Sequence, residues 1–240
     1  MKEDNFRAYA EYYDLIYLKM KNYQKEAQVV LNVITQFENK PSKTLLDVGC
    51  GTGEHLKHLC SQFQCSGIDI NRTMIETAET KVPTVKFTIA DMTNFRLNEK
   101  FDVITCLFSA IGHVQTFKNL LKTLNNFRRH LDDKGILILE PWIFKQDFKQ
   151  GFLGLNTYED ENVKLARMST SKITRSRWIT FMHYLIGKEG NITYIKEIHP
   201  MLAAEYADYL HAFELAQFKD MRFLNENLWD GCRGLFIAEK

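Results

Sequence analysis

The stretch Leu45-Leu46-Asp47-Val48-Gly49-Cys50-Gly51-Thr52-Gly53-Glu54-His55 begins as a short apolar strand and ends in three alternating glycines that lead into a helix. Glycines at that spacing let the backbone pass against a ligand where any side chain would collide. The helix start that follows offers free N–H groups and the positive end of its dipole, which suits an electronegative ligand. Outward from this loop, Cys65-Ser66-Gly67-Ile68-Asp69-Ile70 reads as a second short strand with an acid at its tip. Asp69 falls roughly 20 residues after the glycines, where a strand-end carboxylate can hold both hydroxyls of a ribose. A third strand end, Phe87-Thr88-Ile89-Ala90-Asp91-Met92, carries a further acid.

Two families use this layout, and the glycine spacing separates them. Dinucleotide binders carry G-x-G-x-x-G, whose third glycine packs helix on strand beneath a pyrophosphate. Here the glycines stand at 49, 51 and 53 behind Asp47. D-x-G-x-G-x-G resembles motif I of the class I S-adenosylmethionine methyltransferases, whose ligand has no pyrophosphate. The resemblance implies that Asp47, Gly49, Gly51 and Gly53 hold the methionine part of the cofactor and that Asp69 holds its ribose. It implies that Asp91 reaches the adenine amino group and that Met92 supplies a neighbouring backbone N–H. A plain strand-to-helix turn at 47–53, and a surface acid at 69, are the alternatives.

The rest of the chain alternates in the same way. An aromatic and aliphatic pattern at three- and four-residue spacings predicts helix from Tyr9 to Phe37, ending at Asn39-Lys40-Pro41. Strands are expected at 44–48, 65–69, 85–89, 101–106 and 135–139, with helices at 53–62, 72–80 and 116–131. Asn71 and Thr116 read as helix N-caps. This order implies an α/β fold with a parallel sheet, helices on both faces, and a ligand beyond the carboxyl ends of the strands. After Pro141 the pattern changes to strand-like runs at 163–173, 177–186 and 191–199, with a turn at Gly187-Lys188-Glu189-Gly190. A helix near 202–217 and strands at 218–224 and 233–238 close the chain. The expected architecture is a Rossmann-like, class I methyltransferase domain with a seven-stranded sheet over 1–240. A helical lid spans 1–40, a cofactor-binding core 41–141, a small antiparallel insertion 142–200, and closing elements 201–240.

Bulk properties exclude several classes. With 45% hydrophobic and 25% charged residues the composition is that of an ordinary globular protein. A net charge of +1 gives no chain-wide field toward nucleic acid or an anionic membrane. No 18-residue apolar run and no signal peptide behind the polar start are evident. Five cysteines without a C-x-x-C pair read as free thiols of a reduced, cytoplasmic protein. Glu54-His55-Leu56-Lys57-His58 places two histidines three apart, but no third ligand accompanies them, so no metal is expected.

The likeness extends past the cofactor half. Tyr13-Asp14-Leu15-Ile16-Tyr17, His55-Leu56, Asn94-Phe95-Arg96-Leu97, Leu107-Phe108-Ser109-Ala110-Ile111-Gly112-His113, Glu140-Pro141-Trp142 and Arg233-Gly234-Leu235-Phe236-Ile237 occur in order. With them the chain resembles the nucleotide-linked amino-sugar N,N-dimethyltransferases of desosamine and mycaminose biosynthesis. It departs from that pattern at Leu18-Lys19-Met20-Lys21-Asn22-Tyr23, where the family has a Gly-Lys-Asp-Tyr-like segment, and at Cys232-Arg233-Gly234, where the family has Gly-Arg-Gly.

The resemblance implies a transfer of methyl from S-adenosylmethionine to a small-molecule amine, leaving S-adenosylhomocysteine. Tyr13, Tyr17 and Tyr23 then stand near the cofactor carboxylate or the acceptor, the alternative being core aromatics of the first helix. His55, Ile70 and Leu107 complete the cofactor-binding candidates. His113, just past the fourth strand, is a candidate base or positioning group, with Tyr13 and Arg233 as catalytic companions. Arg233 suits the phosphates of a sugar nucleotide, because guanidinium forks onto oxyanions. Trp142 walls the acceptor pocket or belongs to the core. An O- or carboxyl-methyltransferase, or a non-catalytic binder of the cofactor, would keep the same fold. No nucleic-acid or membrane partner is indicated; the strand edges of 163–199 could pair two copies into a homodimer.

Overall fold

Residues 7–38, 41–174, 177–225 and 228–240 are described in a computed structural model of the chain. The N-terminal segment forms α1 (Arg7–Met20) and α2 (Tyr23–Phe37). Then come β1 (Thr44–Val48), α3 (Glu54–Leu59), β2 (Gln64–Asp69), α4 (Arg72–Lys81), β3 (Lys86–Ile89) and β4 (Phe101–Cys106). A short 3-10 turn (Ala110–Val114) leads into α5 (Phe117–His130) and β5 (Leu131–Leu139). Four strands follow, β6 (Leu153–Glu159), β7 (Val163–Ile173), β8 (Arg177–Lys188) and β9 (Asn191–Leu202), before α6 (Tyr206–Leu215), β10 (Lys219–Leu224) and β11 (Leu235–Glu239).

The main sheet has seven strands in the order β10-β11-β5-β4-β1-β2-β3. β1 to β5 run parallel, and β11 is antiparallel to both of its neighbours. The strand order reverses between β1 and β4, so their carboxyl ends form the crevice where such sheets bind ligands. Side chains alternate across the sheet as a period of two requires. Leu45, Ile136 and Ile138 face one side, packed with Val30, Leu31 and Ile34 of α2 and Leu56 and Leu59 of α3. Leu46, Leu137 and Leu139 face the other, packed with Leu124 and Phe127 of α5 and Phe213 of α6. β6 to β9 make a separate antiparallel sheet of four strands.

The expected caps are present: Asn71 Oδ1 accepts from the Met74 N–H at 3.2 Å, and Thr116 Oγ1 from the Asn119 N–H at 3.2 Å. Three elements differ from expectation. The first helical run breaks at Lys21-Asn22, where the Asn22 side chain accepts from the Lys25 N–H at 3.0 Å and starts a second helix. α2 is therefore a layer of the core, and only α1 remains to cover the site; the stop expected at Asn39-Lys40 lies outside the described residues. β6 is unanticipated; it is an edge strand with no residue fully buried, whose far side needs no partner. β9 runs on through Pro200 to Leu202, since an edge strand tolerates a residue without an N–H. α6 accordingly starts at Tyr206 rather than near 202.

Candidate active site

The glycine loop is pinned to β2 by its own backbone. The N–H groups of Gly49 and Cys50 both donate to the Ile68 carbonyl, at 2.8 and 3.0 Å. Asp69, at the end of β2, receives the Gly51 N–H on Oδ2 at 3.0 Å and the Asn71 N–H on Oδ1 at 2.8 Å. Burial raises its carboxyl above the ordinary range, and these N–H groups work against that rise. Gly51 has φ +54°, and a Cβ built there would meet nothing within 4 Å. It borders open space, as a ligand-cradling position should. Gly49 does the opposite job, since a methyl there would stand 2.6 Å from the Ala110 Cβ.

Ile70 follows Asp69 with 58% of its surface exposed, an apolar flank beside the acid. Asp91 sits at the end of the next strand and accepts from the Thr93 N–H at 2.8 Å, while the Met92 side chain reaches over Gly49. Asp47 lies beneath the loop, buried, and accepts the Thr105 hydroxyl at 2.8 Å; burial raises its pKa. Leu107 is buried against the same core. An open loop with a strand-end acid and an apolar flank beside it fits an adenosyl ligand.

α1 is tied down over this cradle by charge. The Thr52 hydroxyl donates to Asp14 at 2.7 Å, and the Lys81 ammonium bridges Asp14 and Glu54 at 2.6 Å each. A second tie lies just behind. Glu26 is buried and receives both Lys21 Nζ at 2.9 Å and His55 Nε2 at 3.0 Å. His55 is therefore held under the helices, edge-on to Tyr23 at 5.0 Å. Tyr23 is itself buried, which raises its phenol pKa. The Tyr13 and Tyr17 rings lie tilted against each other at 4.5 Å and pack edge-on to Phe108, and Tyr17 accepts from Arg167 Nη1 at 2.9 Å. Tyr13, Tyr17 and Lys21 thus line one aromatic cluster with Phe108, over whose ring the Lys21 ammonium sits at 3.8 Å.

The acceptor side is built around the 3-10 turn. Phe108, Ser109 and Gln115 all have positive φ (49°, 58° and 66°), so a strained segment brackets His113. His113 is half-buried, and burial, with His199 nearby, pushes its imidazole down to about 4. The ring is neutral at pH 7. Arg233 lies over the Trp142 ring at 5.1 Å, and Trp142 meets Trp178 edge-on at 5.8 Å. Glu140 is buried below them and accepts the Phe108 N–H at 2.6 Å; burial raises its carboxyl, and Lys21 and Arg233 pull it back.

The structure therefore brings the donor-side and acceptor-side candidates together at one crevice. Asp47 and His55 stand behind it rather than on its surface. Sequence reasoning gave no role to Lys21, Glu26, Arg167, Trp178, Glu197 and His199. The last two were findable: Glu197-Ile198-His199 alternates polar and apolar within a strand, which puts both polar groups on one face.

A family profile described as a methyltransferase domain matches residues 45–135. A Streptomyces fradiae protein, dTDP-3-amino-3,6-dideoxy-alpha-D-glucopyranose N,N-dimethyltransferase, is 32% identical over 86% of this chain and 82% of its own length. The crystal structure of Streptomyces venezuelae DesVI superposes with a TM-score of 0.87 at 28% identity, covering 96% of this chain and 97% of that one. The S-adenosylmethionine-bound structure of CalS10, an amino pentose methyltransferase from Micromonospora echinaspora involved in calicheamicin biosynthesis, gives 0.84 at 29% identity over 98% and 97%.

Proposed function

We infer the reaction from a plain premise: the chain belongs to the family of S-adenosylmethionine-dependent sugar N,N-dimethyltransferases. It is a methyltransferase that moves a methyl group to a small-molecule amine. We propose that the amine is carried on a nucleotide-linked sugar and is methylated twice. One observation carries this reading. The likeness to such enzymes runs through the acceptor half of the chain as well as the glycine loop, to 82% of a relative's length, whereas the general methyltransferase profile stops at residue 135.

When bound, S-adenosylmethionine supplies an electrophilic methyl on a sulfonium. The chain's residues orient the partner and exclude water. Asp69 holds the ribose diol, with Ile70, Asp91 and Met92 at the base. Tyr13 and Tyr17 cover the site from α1, and Trp142 with Arg233 receives the sugar nucleotide, the guanidinium on its phosphates.

The amine must present a free lone pair. With a pKa near 8, roughly a tenth is neutral at pH 7, a deficit of about 1.4 kcal/mol. Holding nitrogen in line with the methyl is worth about 7–11 kcal/mol, so positioning dominates. Burial leaves the His113 imidazole a poor final resting place for the amine's proton. His113→Asn is therefore expected to lower kcat by about tenfold at pH 7, the size of the neutral-amine deficit. A loss above a thousandfold, with cofactor affinity unchanged, would establish obligate base catalysis instead.

The reading is tested by calorimetric titration of thymidine-diphosphate amino sugars into protein saturated with S-adenosylhomocysteine. Binding is expected in the wild type, and Arg233→Ala should weaken it by at least about tenfold by removing a charge-assisted contact to phosphate. No binding, with S-adenosylhomocysteine still held tightly, would keep the methyltransferase and discard this acceptor.

We place the enzyme in a reducing cytoplasm, which suits five free thiols. No helix among the described residues is long and apolar enough to cross a membrane. A homodimer is proposed through the outer face of the small sheet rather than through its strand edges. Leu155 opposite Met168 and Leu185 opposite Tyr194 lie there as two neighbouring cross-strand pairs and are 47–62% exposed. A sedimentation mass near twice 28.1 kDa at micromolar concentration is expected, and the single-chain mass would refute it.

A further inference from the structure

The small antiparallel sheet turns a second titratable pair toward His113. Glu197 and His199 stand two apart on β9, so both point to the same face, and both are buried (4% and 2% exposed). His199 Nε2 lies 3.1 Å from Glu197 Oε2. The His199 ring meets the His113 ring edge-on, with centroids 6.2 Å apart. The groups that face this pair include His113 from the 3-10 turn, Thr180 opposite His199 on β8, and Tyr184 on β8, which feels both Glu197 and the Arg167 guanidinium of β7.

A buried histidine–carboxylate pair is a poor way to gain stability. Desolvating both groups offsets most of their attraction, and apolar side chains of similar size would do as well. Its position is the more telling fact. The pair lies behind His113, the imidazole among the acceptor-side candidates, where burial and then His199 disfavour a proton. Of the two rings, His199 is the one with a carboxylate beside it.

We propose that Glu197 and His199 are positioning residues that act through His113: they receive the proton that the acceptor amine must lose. This rests on the amino-sugar reading above. An ammonium N–H gives its proton to the His113 ring nitrogen on the pocket side, and the N–H on the other side of the His113 ring passes its proton toward His199. The amine recovers its lone pair, His113 ends neutral, and the positive charge rests on His199 against the Glu197 carboxylate. No charge is created; one is moved from the pocket to a prepared partner. The site can then use the protonated amine that predominates at neutral pH, and His199 must give up the first proton, to solvent as the site opens between rounds, before it can receive a second. His113 alone, with a ring pushed toward pH 4, could not hold that proton.

The test is the pH profile of methylation of a thymidine-diphosphate amino sugar by wild type, Glu197→Gln, His199→Gln, His113→Asn and the His113→Asn/Glu197→Gln pair. Each single variant should lose about tenfold in kcat/KM at pH 7, because only a tenth of an amine of pKa near 8 is neutral there, and should approach wild type by pH 9. The double variant should lose no more than either single one, as residues acting as one unit do. A pH-independent loss, additive losses, or no loss at pH 7 would overturn the proposal. A second measurement needs no substrate. Nitrogen NMR of the imidazoles should show His199 taking up a proton at higher pH than His113, and Glu197→Gln should move the His199 titration to lower pH. Protonation of His113 first, or a His199 titration unmoved in Glu197→Gln, overturns it as well. Absence of methylated amino sugar with the wild type would sink the substrate assignment, and the imidazole titrations would still decide the dyad.

Discussion

Gly51→Leu is expected to leave the protein folded and to abolish cofactor binding. Position 51 has φ +54°, so a side chain there adds about 1–2 kcal/mol of backbone strain. For a chain of this size that lowers Tm by roughly 2–8 °C. A Cβ built at position 51 meets nothing within 4 Å, so the new side chain starts out into open space. The same empty space is where we propose that the cofactor approaches the loop, and leucine would fill it. Affinity for S-adenosylhomocysteine should fall by roughly a thousandfold or more, about 4 kcal/mol. Calorimetry beside a thermal melt reads both quantities. Tight binding by a folded Gly51→Leu protein would mean that the cofactor does not lie on this loop. Gly49 offers no such separation, because its added methyl would strike Ala110 and disturb the fold itself.

Asp69→Asn should weaken the cofactor by about a hundredfold or more. Both carboxylate oxygens accept backbone N–H groups, from Gly51 and from Asn71. An amide keeps one acceptor and turns an NH2 against the other N–H, donor against donor. The loop loses one tie, worth about 1–3 kcal/mol, and the ribose loses one charged acceptor of similar worth. The pH dependence gives an independent reading. Burial raises the Asp69 pKa, so the carboxylate takes a proton at higher pH than an exposed aspartate does. Wild-type affinity for the cofactor should therefore decline on acidification before ordinary carboxylates titrate. The asparagine variant should lack that decline, and a decline of equal size in both proteins would assign it to another group.

The donor half was legible in the sequence because its geometry is local. A strand, a glycine turn and a strand-end acid sit within about 20 residues of each other, and their spacing reports their arrangement. Asn71 and Thr116 announced their helices because a cap needs only the N–H three residues on. The acceptor half is assembled from afar. Trp142 meets Trp178, Arg233 reaches Trp142, and Tyr17 meets Arg167, pairs that only the folded sheet order brings together. The resemblance supplied His113, Trp142 and Arg233, but no spacing could have supplied Arg167 or His199. The break at Asn22 was hidden because the apolar period continues across it, and β6 because an edge strand with no fully buried residue carries little apolar signal.

Three residues with side chains hold left-handed backbone around His113, at 108, 109 and 115. Each costs about 1–2 kcal/mol relative to a relaxed turn, together about 3–6 kcal/mol against a usual net stability of 5–15 kcal/mol. A designer choosing for heat tolerance alone would place glycine at all three positions. This chain instead carries Phe, Ser and Gln, and two of those side chains have tasks: Phe108 lies under the Lys21 ammonium and Ser109 donates to the Pro141 carbonyl at 2.7 Å. The bend is thus a place where ruggedness has been exchanged for aim. Laboratory evolution toward thermostability would find its easiest gains in this segment, and would loosen the turn that presents His113.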